Sequence, residues 1–333
     1  QEGGAGGRGD DHDPSAAERG DEEAADARVR LRLYEGHSVD LAKIARRELD
    51  MPGTAFIVGS PRSGTTLLGD ILDLHPQIGR WYEPYFVLDR CFRDAPNDCL
   101  IAEDATPEVT RYLRKQFDLY RRKRGCQVVV DKSPRNSLKM PFLREVFPEA
   151  RIIHMLRDGR DVTLSINQEW QKRKGILEQG TDFGQVINTV SAFLDRQPLV
   201  RHKIAAAWFE IGGLGNVLRG RGFLHRARWN GRIGWGPRFE GWQDVFDKVS
   251  MLEFNAMQWA KCVEAVVEQQ QHIPEDTFMQ TRYENLLREP RETLERIFDF
   301  LEVTFPEDYM SRLPRLKRSN YDKWRQAFSE EEK

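Results

Sequence analysis

The 333-residue sequence has no apolar run near the ~20 consecutive residues that a membrane-crossing helix requires, which excludes a transmembrane span as its organising element. Nor do its first residues follow the basic, apolar, small order of a signal peptide. The expected location is therefore the cytoplasm, although a start on Gln1 rather than Met leaves an upstream leader or anchor open. Cysteine is scarce. Cys91, Cys99, Cys126 and Cys262 lack the close pairs of a zinc or redox site, so no metal is expected. Cys91 and Cys99 lie close enough for a short disulfide in an oxidising compartment, but isolated thiols are the preferred reading in a chain of this size. No Lys/Arg stripe interleaved with stacking aromatics is present, so nucleic acid is not an expected partner.

What the chain does have is a large hydrophobic complement, 39% of residues with 18 Phe and eight Trp, enough for a substantial core. The net charge of −2 hides an asymmetry. Residues 1–27 carry nine acids, two arginines and no aromatic side chain, the composition of a disordered acidic tail. Beyond them the balance is mildly basic, which suits an anionic ligand. Residues 28–333 read as a single domain, with an elaboration at about 171–249 where helical and strand periodicity weakens. Between Arg196 and Arg232 that elaboration has eight basic residues against one acid, and Gly234-Trp-Gly-Pro-Arg-Phe-Glu-Gly-Trp242 follows. Trp faces stack on sugar rings and Arg pairs with acids, so this stretch predicts an anionic or sugar-like acceptor, a glycan or glycolipid before a phenol.

Short apolar runs alternate with helical patterns. Ala55-Phe-Ile-Val58 leads to a helix from Thr65 to Leu74. Gln127-Val-Val-Val130 leads to one around Ser137–Phe147, and Arg151-Ile-Ile-His-Met-Leu156 to one from about Asp161. A helix over Val29–Leu49, another over Glu253–Gln270, a strand at Phe278–Thr281 and an amphipathic helix over Arg291–Leu301 complete the pattern. Such alternation predicts an α/β fold with a central, mostly parallel sheet flanked by helices in three layers.

The first strand ends in Gly59-Ser-Pro-Arg-Ser-Gly-Thr-Thr66 and opens a helix, which aims backbone N–H groups and the positive end of a helix dipole at one spot. That is a phosphate site; the structural alternative is a tight turn whose glycines only relieve steric conflict. A nucleoside-triphosphatase loop would continue with Lys and then Ser or Thr, to reach terminal phosphates and magnesium. Thr65-Thr66 stands there instead, with Arg62 inside the loop. A second junction, Arg157-Asp-Gly-Arg-Asp-Val-Thr-Leu-Ser165, places arginine forks where they can take a second phosphate, unless they merely pair with Asp158 and Asp161.

Together these segments resemble the PAPS-dependent sulfotransferase family, close to its bacterial and tyrosylprotein sulfotransferase-like branches, from about Phe56 to Trp324. Asp131-Lys-Ser-Pro134 and Phe147-Pro-Glu-Ala-Arg151 join the two motifs. The resemblance implies a P-loop-type fold and a donor, 3'-phosphoadenosine 5'-phosphosulfate (PAPS), without a metal. It assigns the donor's 5'-phosphosulfate to Arg62, Ser63, Gly64, Thr65 and Thr66, and its 3'-phosphate to Arg157 and Ser165. It makes Glu83, in Trp81-Tyr-Glu-Pro84, the general base, and places Lys132 beside the sulfuryl group with Arg62. Tyr283, in Arg282-Tyr-Glu-Asn-Leu286, would pack by the adenine. Ser319 and Lys323, in Arg318-Ser-Asn-Tyr-Asp-Lys-Trp324, would belong to a donor-closing loop. Ser133 stands where the tyrosylprotein branch has an acid, which argues against protein tyrosine as acceptor. The competing readings are a P-loop kinase or nucleotidase, opposed by the missing lysine, and a catalytically silent nucleotide-binding module, opposed by Glu83 and Lys132.

Overall fold

The computed structural model describes residues 53–88, 90–92, 95–178, 229, 235–317 and 321–330, leaving aside the side chains of 172–178. All lie in one compact unit, Met51–Lys333. The expected acidic tail, the helix over Val29–Leu49, most of the basic stretch from Arg196 to Arg232, and Ser319 fall outside the described residues.

Five strands, β1 (Thr54–Val58), β2 (Ile78–Tyr82), β3 (Val128–Lys132), β4 (Arg151–Leu156) and β5 (Phe278–Arg282), form one sheet in the order β2-β3-β1-β4-β5. Every pairing is parallel. β1, central in the sheet and buried at all five positions, can therefore be an unbroken apolar run, because both faces are covered. Ala55 and Ile57 point to one face, where α1 (Thr65–Leu72), α6 (Tyr283–Arg288) and α7 (Pro290–Phe300) pack through Leu68, Leu286 and Phe298. Phe56 and Val58 point to the other, against α2 (Pro107–Arg124) and α3 (Met140–Val146) through Phe117, Phe142 and Phe147. The three-layer α/β arrangement expected from the alternation is the one found. On that second side α4 (Gly159–Glu178) lies against α5 (Met251–Gln270), Val162, Ile166 and Trp170 meeting Met251 and Trp259.

Strand β2 and helix α2 are additions to the sequence reading. β2 carries Gly79-Arg80 in its middle, and Arg80 is accommodated by an ion pair with Asp70 at 2.5 Å. α2 is bounded by Thr106, whose side chain accepts from the Val109 N–H, and by Gly125 in the left-handed region at φ 66°. The segment expected as one helix over Ser137–Phe147 is a 3-10 stretch, Pro134–Lys139, followed by α3. No helix of the described residues is long and apolar enough to cross a membrane. The four cysteines are unpaired thiols, Cys91 and Cys99 half-buried.

Strands β1 and β4 flank one another in the sheet, yet the chain runs from β1 to β2 and β3 on one side before crossing to β4 on the other. The crevice beyond the carboxyl ends of β1 and β4 is thus the point where strand order reverses, the usual ligand position in an open α/β sheet.

Candidate active site

The motif residues emerge at that carboxyl edge. The loop after β1 is shaped by backbone conformation: Gly59 has φ 147°, Arg62 φ 66° and Gly64 φ 93°. A Cβ on Gly59 would stand 2.4 Å from the Met155 carbonyl oxygen, and one on Gly64 would stand 2.3 Å from the Tyr283 ring. These glycines are required by close approach, beyond any turn preference. Gly64 is also the N-cap of α1. It brings no side chain to satisfy the first-turn N–H groups, and that turn holds no acid. A helix start without a side-chain cap, opened by a residue that lets a ligand approach the backbone, is suited to an anion. Ser63 and Thr65 are buried within the loop, while Arg62 and Thr66 are exposed.

Three separate motifs meet here. The Arg62 Nε donates to Ser165 Oγ at 3.0 Å, and Arg157 Nη1 donates to the Arg62 carbonyl at 2.8 Å. The Arg157 guanidinium lies 4.5 Å from the centre of the Tyr283 ring, the same ring that contacts Gly64. Arg62, Gly64, Arg157, Ser165 and Tyr283 are therefore one cluster, although 221 positions separate its ends. The structural alternative for the arginines is realised by Arg160, which pairs with Asp158 at 2.8 Å and stacks on Trp324 at 3.5 Å, and in part by Arg157, whose Nη2 lies 3.8 Å from Asp161. Lys323 lies in the same C-terminal segment with its side chain exposed.

Glu83 and Lys132 form the second cluster, at the carboxyl ends of β2 and β3, where Tyr82 and Lys132 are register partners. Lys132, 1% exposed, ion-pairs with Glu83 and lies 4.6 Å from the centre of the Tyr82 ring. The other neighbour of Lys132 in the sheet is Ile57, two residues before Gly59, so the pair stands beside the phosphate loop. Glu83 has φ 41°, a rare conformation for a residue with a side chain. Tyr85 hydrogen-bonds to Glu83 through its hydroxyl, and burial followed by the Glu83 charge keeps that phenol protonated, well above its usual range.

Sequence reasoning did not single out the supports of these groups. Ser137 Oγ accepts the Gly59 N–H at 2.8 Å, which fixes the start of the loop. Asp131, fully buried, accepts from Ser133 Oγ at 2.8 Å and from Asn136 Nδ2 at 2.9 Å. Burial pushes its carboxyl up from 3.8 to about 6, against those hydrogen bonds. Asp161, 2% exposed, accepts from the Asp322 and Trp324 N–H groups at 2.6 and 3.1 Å. Of these, Asp131 and Asp161 stood in quoted motifs, Asp161 only as a partner for the arginines; Ser137 and Asp161 owe the roles found here to partners far along the chain.

A correction concerns the elaboration. Trp229 and Trp242 are 1% and 0% exposed and pack with Phe239 and Phe254, so neither presents a face to a ligand. Arg238, 5% exposed, donates to the carbonyls of Ala95, Pro96 and Asn97 and pairs with Asp98. Burial with satisfied partners makes these side chains structural.

The Sulfotransferase family model matches residues 54–197 and 235–307, about two thirds of the chain. The chain belongs to the sulfotransferase family. The match holds all five strands and the whole of both clusters; Lys323 lies beyond it. Among curated proteins, nodulation protein NoeE of Sinorhizobium fredii is 29% identical over 135 residues, 36% of this chain and 32% of that protein. Protein-tyrosine sulfotransferase A of Caenorhabditis elegans is 33% identical over 129 residues, 33% of this chain and 32% of its own. The matched segment thus spans about a third of these relatives. The sulfotransferase domain from the curacin biosynthetic pathway aligns at TM-score 0.46 and 16% identity, covering 84% of this sulfotransferase and 92% of that domain.

Proposed function

We propose that this sulfotransferase moves a sulfuryl group from PAPS to an acceptor hydroxyl, with the Gly59–Thr66 loop holding the donor's 5' end and the Arg157 cluster its 3'-phosphate. The observation that carries this reading is the junction of the two anion-binding motifs: Arg157 donates to the loop carbonyl of Arg62, and Arg62 to Ser165. A donor with phosphates at both 3' and 5' positions matches two such sites on one crevice. PAPS brings the activated sulfuryl group and a phosphate leaving group. The residues contribute the rest. Glu83 accepts the proton of the acceptor hydroxyl as general base. Lys132 and Arg62, with the amides of the loop, stabilise negative charge at the reaction centre, the sort of preorganised electrostatics that dominates such transfers. Lys132 also orients Glu83 through their ion pair.

Beside Glu83 stand Tyr82 and Tyr85, half-buried rings that already carry cations, Lys132 over Tyr82 at 4.6 Å among them. Arg135, 3.7 Å over the Tyr85 ring, adds positive charge at the same place. These features support an anionic carbohydrate or glycolipid as acceptor, with tyrosine or another phenol next. The test is incubation with sulfur-labelled PAPS and a panel of glycans, glycolipids, tyrosine peptides and phenols, alongside calorimetric titration with 3'-phosphoadenosine 5'-phosphate (PAP) and with ATP plus magnesium. Transfer of label and preference for PAP are expected. Magnesium-dependent binding of ATP in preference to PAP would overturn the proposal.

A further inference from the structure

Asp161 sits on the first turn of α4, four residues after Arg157, and its carboxylate faces two ways. Its Oδ2 lies 3.8 Å from Arg157 Nη2 and also accepts the backbone N–H of Asp322 at 2.6 Å. Its Oδ1 accepts the N–H of Trp324 at 3.1 Å. The receiving segment is shaped for this contact: Asp322 takes φ 62°, and Trp324 is buried beneath the Arg160 guanidinium at 3.5 Å. Asp322 and Tyr321 also wall a polar cavity of about 350 Å³ with Asp158, Asp161, Arg282 and Arg288. One carboxylate therefore joins the arginine at the heart of the two-motif cluster to a segment 161 positions away.

We propose that Asp161 is a positioning residue that couples the order of the 321–324 segment to donor affinity at Arg157. This rests on the PAPS reading above. The ionised carboxylate is needed on both sides: it holds two N–H donors at once, and its charge orients the Arg157 fork while leaving Nη1 to bond the loop carbonyl of Arg62. Asn in its place keeps the size but turns an NH₂ group toward one of the two N–H donors, and it removes the charge facing Arg157. The segment then detaches and the fork loses its orientation.

The experiment compares the full chain with Asp161→Asn, measuring PAP affinity by calorimetry, KM for PAPS against kcat, and the rate of limited proteolysis after Lys323 and Arg325 with and without PAP. Loss of one such cap is expected to weaken PAP binding and raise KM for PAPS about tenfold while kcat changes little. Cleavage of the segment is expected to become faster, with PAP no longer protecting it. Should D161N fail to fold, Asp322→Pro both removes one of the two N–H donors and cannot hold φ 62°, so it releases the exposed segment and should give the same KM shift and faster cleavage. Wild-type protein that binds PAP while a folded variant binds it equally well would overturn the coupling and leave the donor reading standing. Wild-type protein that does not bind PAP would overturn the donor reading and the coupling with it. A fall in kcat at unchanged KM would also defeat the proposal, since a positioning role at the donor site acts on binding.

Discussion

The Gly59–Thr66 loop gets its form from its own backbone, whereas Trp235–Val249 is held in place by side chains reaching into the rest of the domain. In the loop, Gly59 and Gly64 occupy positive φ and lie against the Met155 carbonyl and the Tyr283 ring. In the other segment, Arg238 and Trp242 fasten the chain to Ala95–Asp98 through carbonyl and carboxylate bonds. A motif whose function is carried by backbone geometry can be read from short spacings, because glycine positions encode the geometry directly. A tryptophan or arginine can stack on a ligand or fill a core, and only its tertiary neighbours decide between them. The difference explains why the loop and its arginine partners were found in the sequence while Trp229 and Trp242, expected to stack on a sugar, turned out to be core.

That contrast can be tested from both sides. The largest effect is expected at Glu83: Glu83→Gln should lower kcat by about 10²–10⁴-fold while PAP affinity stays near wild type, as loss of a general base would. Single-turnover kinetics with labelled PAPS, paired with PAP titration, checks this. An unchanged kcat would remove Glu83 from the chemistry. Next comes Arg238→Ala, expected to destabilise the fold by about 3–5 kcal/mol because it removes the guanidinium that pairs with buried Asp98 and bonds the carbonyls of Ala95, Pro96 and Asn97, with kcat of the folded fraction unchanged. Denaturant unfolding measures it. If acceptor KM rose instead at unchanged stability, the segment would be a binding surface and the contrast would collapse. The smallest is Gly64→Ala, where positive φ and the Tyr283 clash are expected to remove about 1–3 kcal/mol, felt as weaker PAP binding together with a lower melting temperature.

Legibility followed the same division. β1 and β4 were visible because strands buried on both faces are continuous apolar runs. β2 was not, since Arg80 breaks its run and is tolerated through Asp70, a partner from α1, and the Tyr82 ring. α2 went unread despite its signals, Thr106-Pro107 at the start and Gly125 after the end. Arg62, Gly64, Arg157 and Ser165 carried their own motifs and came together as one cluster. Ser137 had no such mark and Asp161 was marked only as a partner for the arginines, for each acts on a backbone N–H distant in sequence, Asp161 on the 322 and 324 amides and Ser137 on that of Gly59.

The backbone of Glu83 has a consequence for engineering. At φ 41° a residue with a side chain is held where glycine is at ease, at an expense of about 1 kcal/mol or more. Glycine there would relieve the backbone yet strand the buried Lys132 without its ion pair, which costs more than the strain. A library of this protein selected only for heat resistance is therefore expected to keep the carboxylate at position 83, and with it the strained backbone.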